Sequence, residues 1–249
     1  MKKTLLFKVL LPAFIVAVIS TYVLLEYQRF MQQSLILDQT TLYTVAPGSN
    51  LKTISRDLQK QGMSDMPPLY LQLYGRWNGQ AHKIKAGEYS ITPGTTLPAL
   101  LEQLVSGKVV MHAFTIIEGM TAQEMLNALS QQPKITKTLS PLTLDVVMAE
   151  LAEPDKTGEG WFLPETYHFP GGTTDIAFLR RAYAQMQQAL DQAWAGRDDD
   201  LPYKTPYEAL IMASIIEKET AVADERPEIA GVFVRRLQKG MRLQTDPTV

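Results

Sequence analysis

From Val9 to Leu25 the sequence carries no charged side chain, and the run is broken only by Pro12, Ser20 and Thr21. Counted from Thr4 and tolerating Lys8, the apolar stretch approaches the roughly 20 residues that an α-helix needs to cross a hydrocarbon core. Lys2, Lys3 and Lys8 lie on its N-terminal side, and basic residues concentrate at the cytoplasmic end of a span. Tyr22 and Tyr27 suit the opposite interface. The rival is a cleaved signal peptide, which needs small residues in an A-x-A-like pattern. Val18-Ile19-Ser20 is a poor match, and the apolar run continues past it. The sequence therefore predicts an uncleaved anchor over residues 1–27. No second run approaches spanning length, so a single-pass protein is expected, N-terminus cytoplasmic and the rest of the chain outside.

The 249 residues leave enough chain beyond the anchor for one or two domains with real cores. Charged residues make up 20% and apolar residues 45%, which excludes collagen-like and largely disordered chains. A net charge of −2 gives no electrostatic case for nucleic acid as a partner. With no cysteine, thiol catalysis, iron–sulfur clusters and Cys-based zinc sites are excluded. Three scattered histidines, His82, His112 and His168, point to no metal site, and no cofactor is expected.

Residues 28–40 read as a juxtamembrane helix or linker. Beyond them one pattern recurs three times, at Val45–Leu51, Ile91–Leu97 and Ile117–Ala122. Each copy is a short strand-like run, a glycine turn (Gly48, Gly94, Gly119) and a polar cap opening an apolar-periodic helix. Aligned on the glycine, the helix positions are Leu51/Ile54/Leu58, Leu97/Leu100/Leu104 and Ala122/Met125/Leu129, so one face of each helix is predicted to be buried. Thr121 and Glu124 have capping-box spacing. The first copy, Tyr43–Leu58, also resembles a LysM module, and LysM modules bind N-acetylglucosamine-containing glycans. The expected class is α+β: an N-terminal transmembrane helix, a small LysM-like strand–turn–helix subdomain over 41–110, and an α+β catalytic domain over 111–249. Because the chain stops directly after Asp-Pro-Thr, that last domain is expected to be truncated at its C-terminus.

Three segments could carry chemistry. Glu159–Tyr167 packs aromatics, two acids, Gly and Pro together, as a sugar cleft does, because pyranose faces stack on rings while acids bind hydroxyls. A well-packed loop has the same composition. In the second segment, Thr205 caps a helix with Pro206 at its first position, and Ala209–Ile216 is apolar on every side except Ser214, which predicts a helix buried all round. Glu217 and Glu219 follow on different faces. Glu219 extends the Met212/Ile215/Ile216 stripe, and an acid ending a buried stripe is poorly solvated, the condition under which a carboxyl group can donate a proton near neutral pH. Alternatively both glutamates surface and pair with Arg226 or Arg235. The third segment, Arg236–Val249, is dense in hydrogen-bonding groups: Gln244, Thr245 and Asp246 are candidate sugar contacts, or an ordinary turn.

"EGWFLPETY" (Glu159–Tyr167), "ASIIEKETA" (Ala213–Ala221) and "RLQKGMRLQTDPTV" (Arg236–Val249) resemble the endolytic murein transglycosylases of the MltG/YceG-like family, and the likeness extends in order along the whole chain. It implies a bacterial inner-membrane enzyme whose periplasmic part cuts nascent peptidoglycan strands; peptidoglycan synthases are candidate partners. By that resemblance Glu219 would be the catalytic acid/base; Glu165, Tyr167, Glu217, Gln244, Thr245 and Asp246 are the candidate substrate-binding residues beside it. The implied product is a 1,6-anhydro-N-acetylmuramic acid end. Two rivals stay open: a membrane-tethered glycan-binding scaffold without activity, and a muramidase-type hydrolase using Glu217, Glu165 or Asp246 as a second acid.

Overall fold

The computed structural model describes residues 2–245, in two compact units, Met1–Val110 and Met111–Val249. Asp246 therefore lies outside the described residues. Helix and sheet are mixed, as the sequence predicts. The first unit runs α1 (Lys2–Gln32), β1 (Thr41–Val45), α2 (Leu51–Lys60), α3 (Pro68–Trp77), β2 (Gly87–Ile91) and α4 (Leu97–Ser106). Within α1, the segment Leu11–Gln32 is long and apolar enough to span a membrane.

Residues 28–40, expected as a juxtamembrane helix or linker, begin as helix and then pack into the first unit. α1 continues to Gln32, Phe30 and Leu35 are buried in the core, and Arg29 pairs with Asp65 at 3.5 Å. Leu35 N–H then donates to the Thr95 carbonyl and Ile36 N–H to that of Met63, both at 2.8 Å. The two apolar side chains and these backbone bonds outweigh the freedom that the polar sequence around them suggests. β1 and β2 pair antiparallel from Thr41↔Ile91 to Val45↔Gly87. Their inward residues Tyr43, Val45, Tyr89 and Ile91 meet Leu51, Ile54 and Leu58 of α2 and Leu97, Leu100 and Leu104 of α4. A methyl group at Gly75 would sit 2.3 Å from Leu51 Cδ2, which is why α3 can lie so close to α2.

The second unit runs β3 (Met111–Thr115), α5 (Ala122–Ser130), β4 (Ile135–Thr136), α6 (Leu144–Glu150), β5 (Thr166–Pro170), β6 (Thr173–Thr174), α7 (Asp175–Ala195), α8 (Pro206–Glu219), a 3₁₀ turn (Ala223–Glu225) and α9 (Arg226–Gln238). β3 and β5 pair antiparallel, while β4 and β6 pair in parallel. Met125, Leu126 and Leu129 of α5, Val147 and Met148 of α6, Tyr167 and Phe169 of β5, and Phe178 and Leu179 of α7 form its main core.

All three predicted strand–turn–helix motifs are present, each with its glycine at positive φ and a capping side chain two residues on: Gly48/Asn50, Gly94/Thr96 and Gly119/Thr121. The Thr121–Glu124 capping box is complete. A fourth copy follows β5, at Gly172 and Thr174. Its first helical residue is Asp175 rather than an apolar one, so it does not show in the hydrophobic pattern. Asp175 is 1% exposed and accepts from the N–H groups of Thr138 (2.9 Å), Leu139 (3.0 Å) and Ile176 (2.8 Å) and from the Thr138 hydroxyl.

Burial alone would push the Asp175 carboxyl group up, but these donors outweigh it and hold it below the ordinary aspartate value. The stabilisation is therefore present above the unfolded-state value and is lost as pH falls through the folded-state one. Asp175→Asn is expected to cost about 1–3 kcal/mol at neutral pH. In thermal unfolding followed against pH, its deficit relative to the parent chain should shrink on acidification below the ordinary aspartate range.

Candidate active site

α8 ends where its two glutamates begin to diverge. Thr205 caps its start by accepting from Glu208 N–H at 3.3 Å, and Pro206 occupies the first helical position. At the other end Thr220 takes an extended conformation, and its buried hydroxyl donates to Glu225 Oε2 at 2.7 Å while accepting from Val222 N–H at 3.0 Å. That turn stops the helix at Glu219 and starts the 3₁₀ segment leading into α9.

The helix is not buried all round, contrary to the sequence expectation. Only Met212 and Ile215 are buried, with Phe233 of α9, while Ile211 is 45% exposed. α8 packs along one side, against α7 and α9, so an apolar sequence on every face does not find cover on every face. Glu219 is accordingly exposed rather than poorly solvated.

The two glutamates have different partners. Glu217 forms an ion pair with Arg226, with Arg226 Nη2 at 2.9 and 3.1 Å from its two oxygens. This is one of the pairings the sequence left open. Glu219 instead accepts a hydrogen bond from the Thr245 hydroxyl through Oε1. The tail reaches it because the Arg236 guanidinium donates to the Leu243 carbonyl and Leu243 packs on the Met212/Ile215/Phe233 cluster. Gln244, between Leu243 and Thr245, has a positive φ of 55°. Thr245 and Glu219 are therefore brought together, and Gln244 lies beside them in the chain.

Glu165 and Tyr167 are placed differently. Glu165 is exposed, its Oε1 accepts from Thr166 N–H at 2.8 Å, and its carbonyl accepts from Ile116 N–H at 3.0 Å. Tyr167 is buried at 3% exposure, donates its hydroxyl to the Leu163 carbonyl at 2.8 Å and packs edge-on against Phe178. Burial pushes its hydroxyl up to about 12. Tyr167 is thus a core residue, because the two-residue period of β5 turns Tyr167 and Phe169 inward together. Of the other residues in the aromatic segment, Glu159 accepts from Ala122 N–H at 3.1 Å and so caps α5. Trp161 stacks on Tyr207 with 5.4 Å between ring centroids, and Lys156 sits 4.1 Å above the Trp161 ring.

Lys218, which the sequence did not single out, belongs to the same neighbourhood. A Cβ on Gly119 would lie 3.6 Å from its Cε, so the lysine stem crosses the β3–α5 turn. Glu124 lies within its field. The Thr121 N–H and hydroxyl, with Lys218 beyond, hold the Glu124 carboxyl below its ordinary value. The only sequence signal was a basic residue between two acids at a helix end. The β3–α5 turn thus borders the end of α8 through Lys218 and the start of β5 through Glu165. Among the described residues no group of three or more His, Asp and Glu side chains could hold a metal ion.

The YceG-like family model matches residues 43–249, and the protein belongs to the YceG-like family. An endolytic murein transglycosylase of Bacillus subtilis (strain 168) is 27% identical over 228 residues, covering 84% of this chain and 62% of the relative. One of Streptococcus pneumoniae serotype 2 (strain D39) is 26% identical over 233 residues, covering 81% of this chain and 41% of that one. The chain thus spans less than two thirds of the length of these relatives. Among solved structures, a yceG-like protein from Listeria monocytogenes is 26% identical with a TM-score of 0.43, covering 84% of this chain and 73% of that chain.

The two glutamates should separate on stability. A double-mutant cycle of Glu217→Ala with Arg226→Ala is expected to return a coupling of about 1 kcal/mol in denaturant unfolding. Glu219→Gln combined with Arg226→Ala should show none.

Proposed function

We propose that the protein is a membrane-anchored lytic transglycosylase that cleaves the bond between N-acetylmuramic acid and N-acetylglucosamine in nascent peptidoglycan strands, with Glu219 as its acid and base. The observation that carries this reading is the meeting of Glu219 and Thr245, which belong to two of the three family-like motifs, at an exposed helix end. The names of the relatives support the substrate class.

In this reaction protonated Glu219 donates to the glycosidic oxygen as the bond to C1 of N-acetylmuramic acid breaks with oxocarbenium character. The resulting carboxylate takes the proton of the same sugar's C6 hydroxyl as that oxygen bonds to C1. No water is consumed, one carboxyl group is regenerated, and the strand ends in a 1,6-anhydro sugar. The Thr245 hydroxyl orients the carboxylate. Glu217, engaged by Arg226, acts on the turn rather than on the sugar. Exposed Glu165 and Gln244, and Asp246 beyond them, remain the proposed substrate contacts.

α1 crosses the cytoplasmic membrane with Lys2, Lys3 and Lys8 inside, so that the active part faces the periplasm, where peptidoglycan synthases are the expected partners. The first unit is proposed to contact glycan as a LysM-like module. A cleft over β1 and α2 lined by Thr44, Ser49, Thr53 and Arg56 offers hydroxyl and guanidinium donors for that role.

Mass spectrometry of uncrosslinked glycan strands incubated with the full chain in detergent tests the reaction. Anhydro-ended fragments are expected, with Glu219→Gln lowering their rate of formation by about 10²–10⁴-fold at unchanged thermal stability. Free reducing ends would instead indicate a hydrolase, and intact strands with a folded protein a binding module.

A further inference from the structure

α3 lies beside the emerging end of α1 and leaves one flank uncovered. The Tyr74 ring is 5.3 Å from that of Phe30, and Tyr70, one turn earlier, sits against Glu26 and Tyr22. The two helices therefore run in the same direction, and the start of α3 points back toward the apolar run that ends at Leu25. On the free flank Leu69, Leu73 and Trp77 are 56%, 54% and 92% exposed. They are spaced four apart and form one stripe. Arg76 lies three residues beyond Leu73 and seven beyond Leu69, on the same side.

Heights along α1 follow from the helical rise of about 1.5 Å per residue. Leu69 is level with the end of the apolar run, Leu73 about 6 Å farther out and Trp77 about 12 Å out. The headgroup layer beyond the hydrocarbon is roughly 5–7 Å thick on each side. Leu69 and Leu73 thus fall within the interfacial zone, while Arg76 and Trp77 lie just above it. From there an arginine can lay its apolar stem back toward the interface while its guanidinium reaches phosphate oxygens.

We propose that the start of this flank of α3 is seated in the leaflet from which α1 emerges, so that the first unit rests on the bilayer through Leu69 and Leu73, with Arg76 reaching back to the phosphates and Trp77 above them. The inference rests on the reading of α1 as a membrane span. Its occupant is lipid because the stripe is continuous with the end of that span, and Arg29–Asp65 and buried Phe30 fix α1 to the body that carries it.

The absence of cysteine makes single-site labelling direct. Ile19→Cys, Leu69→Cys, Leu73→Cys and Trp77→Cys of the full chain, each spin-labelled and reconstituted into phosphatidylethanolamine–phosphatidylglycerol vesicles, would be compared for collision with oxygen and with an aqueous nickel chelate. Oxygen is expected to dominate at Ile19, Leu69 and Leu73, with nickel access rising in the order 69, 73, 77. Nickel access at 69 and 73 with Ile19 still in lipid would overturn the seating while leaving the span intact. Nickel access at Ile19 would overturn both. Shielding of 69 and 73 from both reagents would mean that protein covers the stripe, and would also overturn the proposal.

Discussion

A left-handed glycine between strand and helix is the constraint on which this architecture rests. Gly48, Gly94, Gly119 and Gly172 each hold a φ between 74° and 88°, a region that costs residues with a Cβ but not glycine. The cap two residues later ends the turn by occupying an otherwise unpaired helical N–H. Each strand is thereby folded back so that the following helix covers its inward side chains. Both cores are assembled from this one step. In the second unit the same step also places the Gly119 turn under Lys218, so a device that builds the core shapes the rim of the candidate site as well.

The site depends on how α8 ends. Two glutamates separated by one residue project about 200° apart on a helix, and the turn at Thr220 gives each a separate environment. Arg226 returns at the start of α9 to neutralise Glu217, which leaves the negative charge of that acid compensated within the turn. Glu219 meets only a neutral hydroxyl and solvent among its described hydrogen-bond partners.

Much of the fold was legible in the sequence because it is written in periodicity. The faces Leu51/Ile54/Leu58, Leu97/Leu100/Leu104 and Ala122/Met125/Leu129 and the Thr121–Glu124 box depend only on neighbours within a turn or two. What was not legible depends on contacts distant in sequence. The strand content of Thr166–Pro170 turns Tyr167 into the core although its residue type suits a sugar platform. α8 reads as fully buried because composition records how apolar a face is, not whether another element covers it. The polar stretch after Arg29 hides an ordered path, since Phe30 and Leu35 are too few to mark a period. In the candidate site, the Glu217–Arg226 pair could be named as one option, while the contact of Thr245 with Glu219 required the tail to fold back through Leu243.

The unbroken passage of α1 into the first core has a mechanical consequence. A helix that ended in a flexible tether would let the body above it reorient freely, but here buried Phe30 and Leu35 make helix and body a single lever. A membrane-spanning helix accommodates a thinner or thicker bilayer by changing its tilt. On the reading of α1 as a span, the absence of a swivel at the surface would turn a change in bilayer thickness into an angular displacement of the first unit. The height and pitch at which that unit meets its surroundings would then be set by the membrane as well as by the protein.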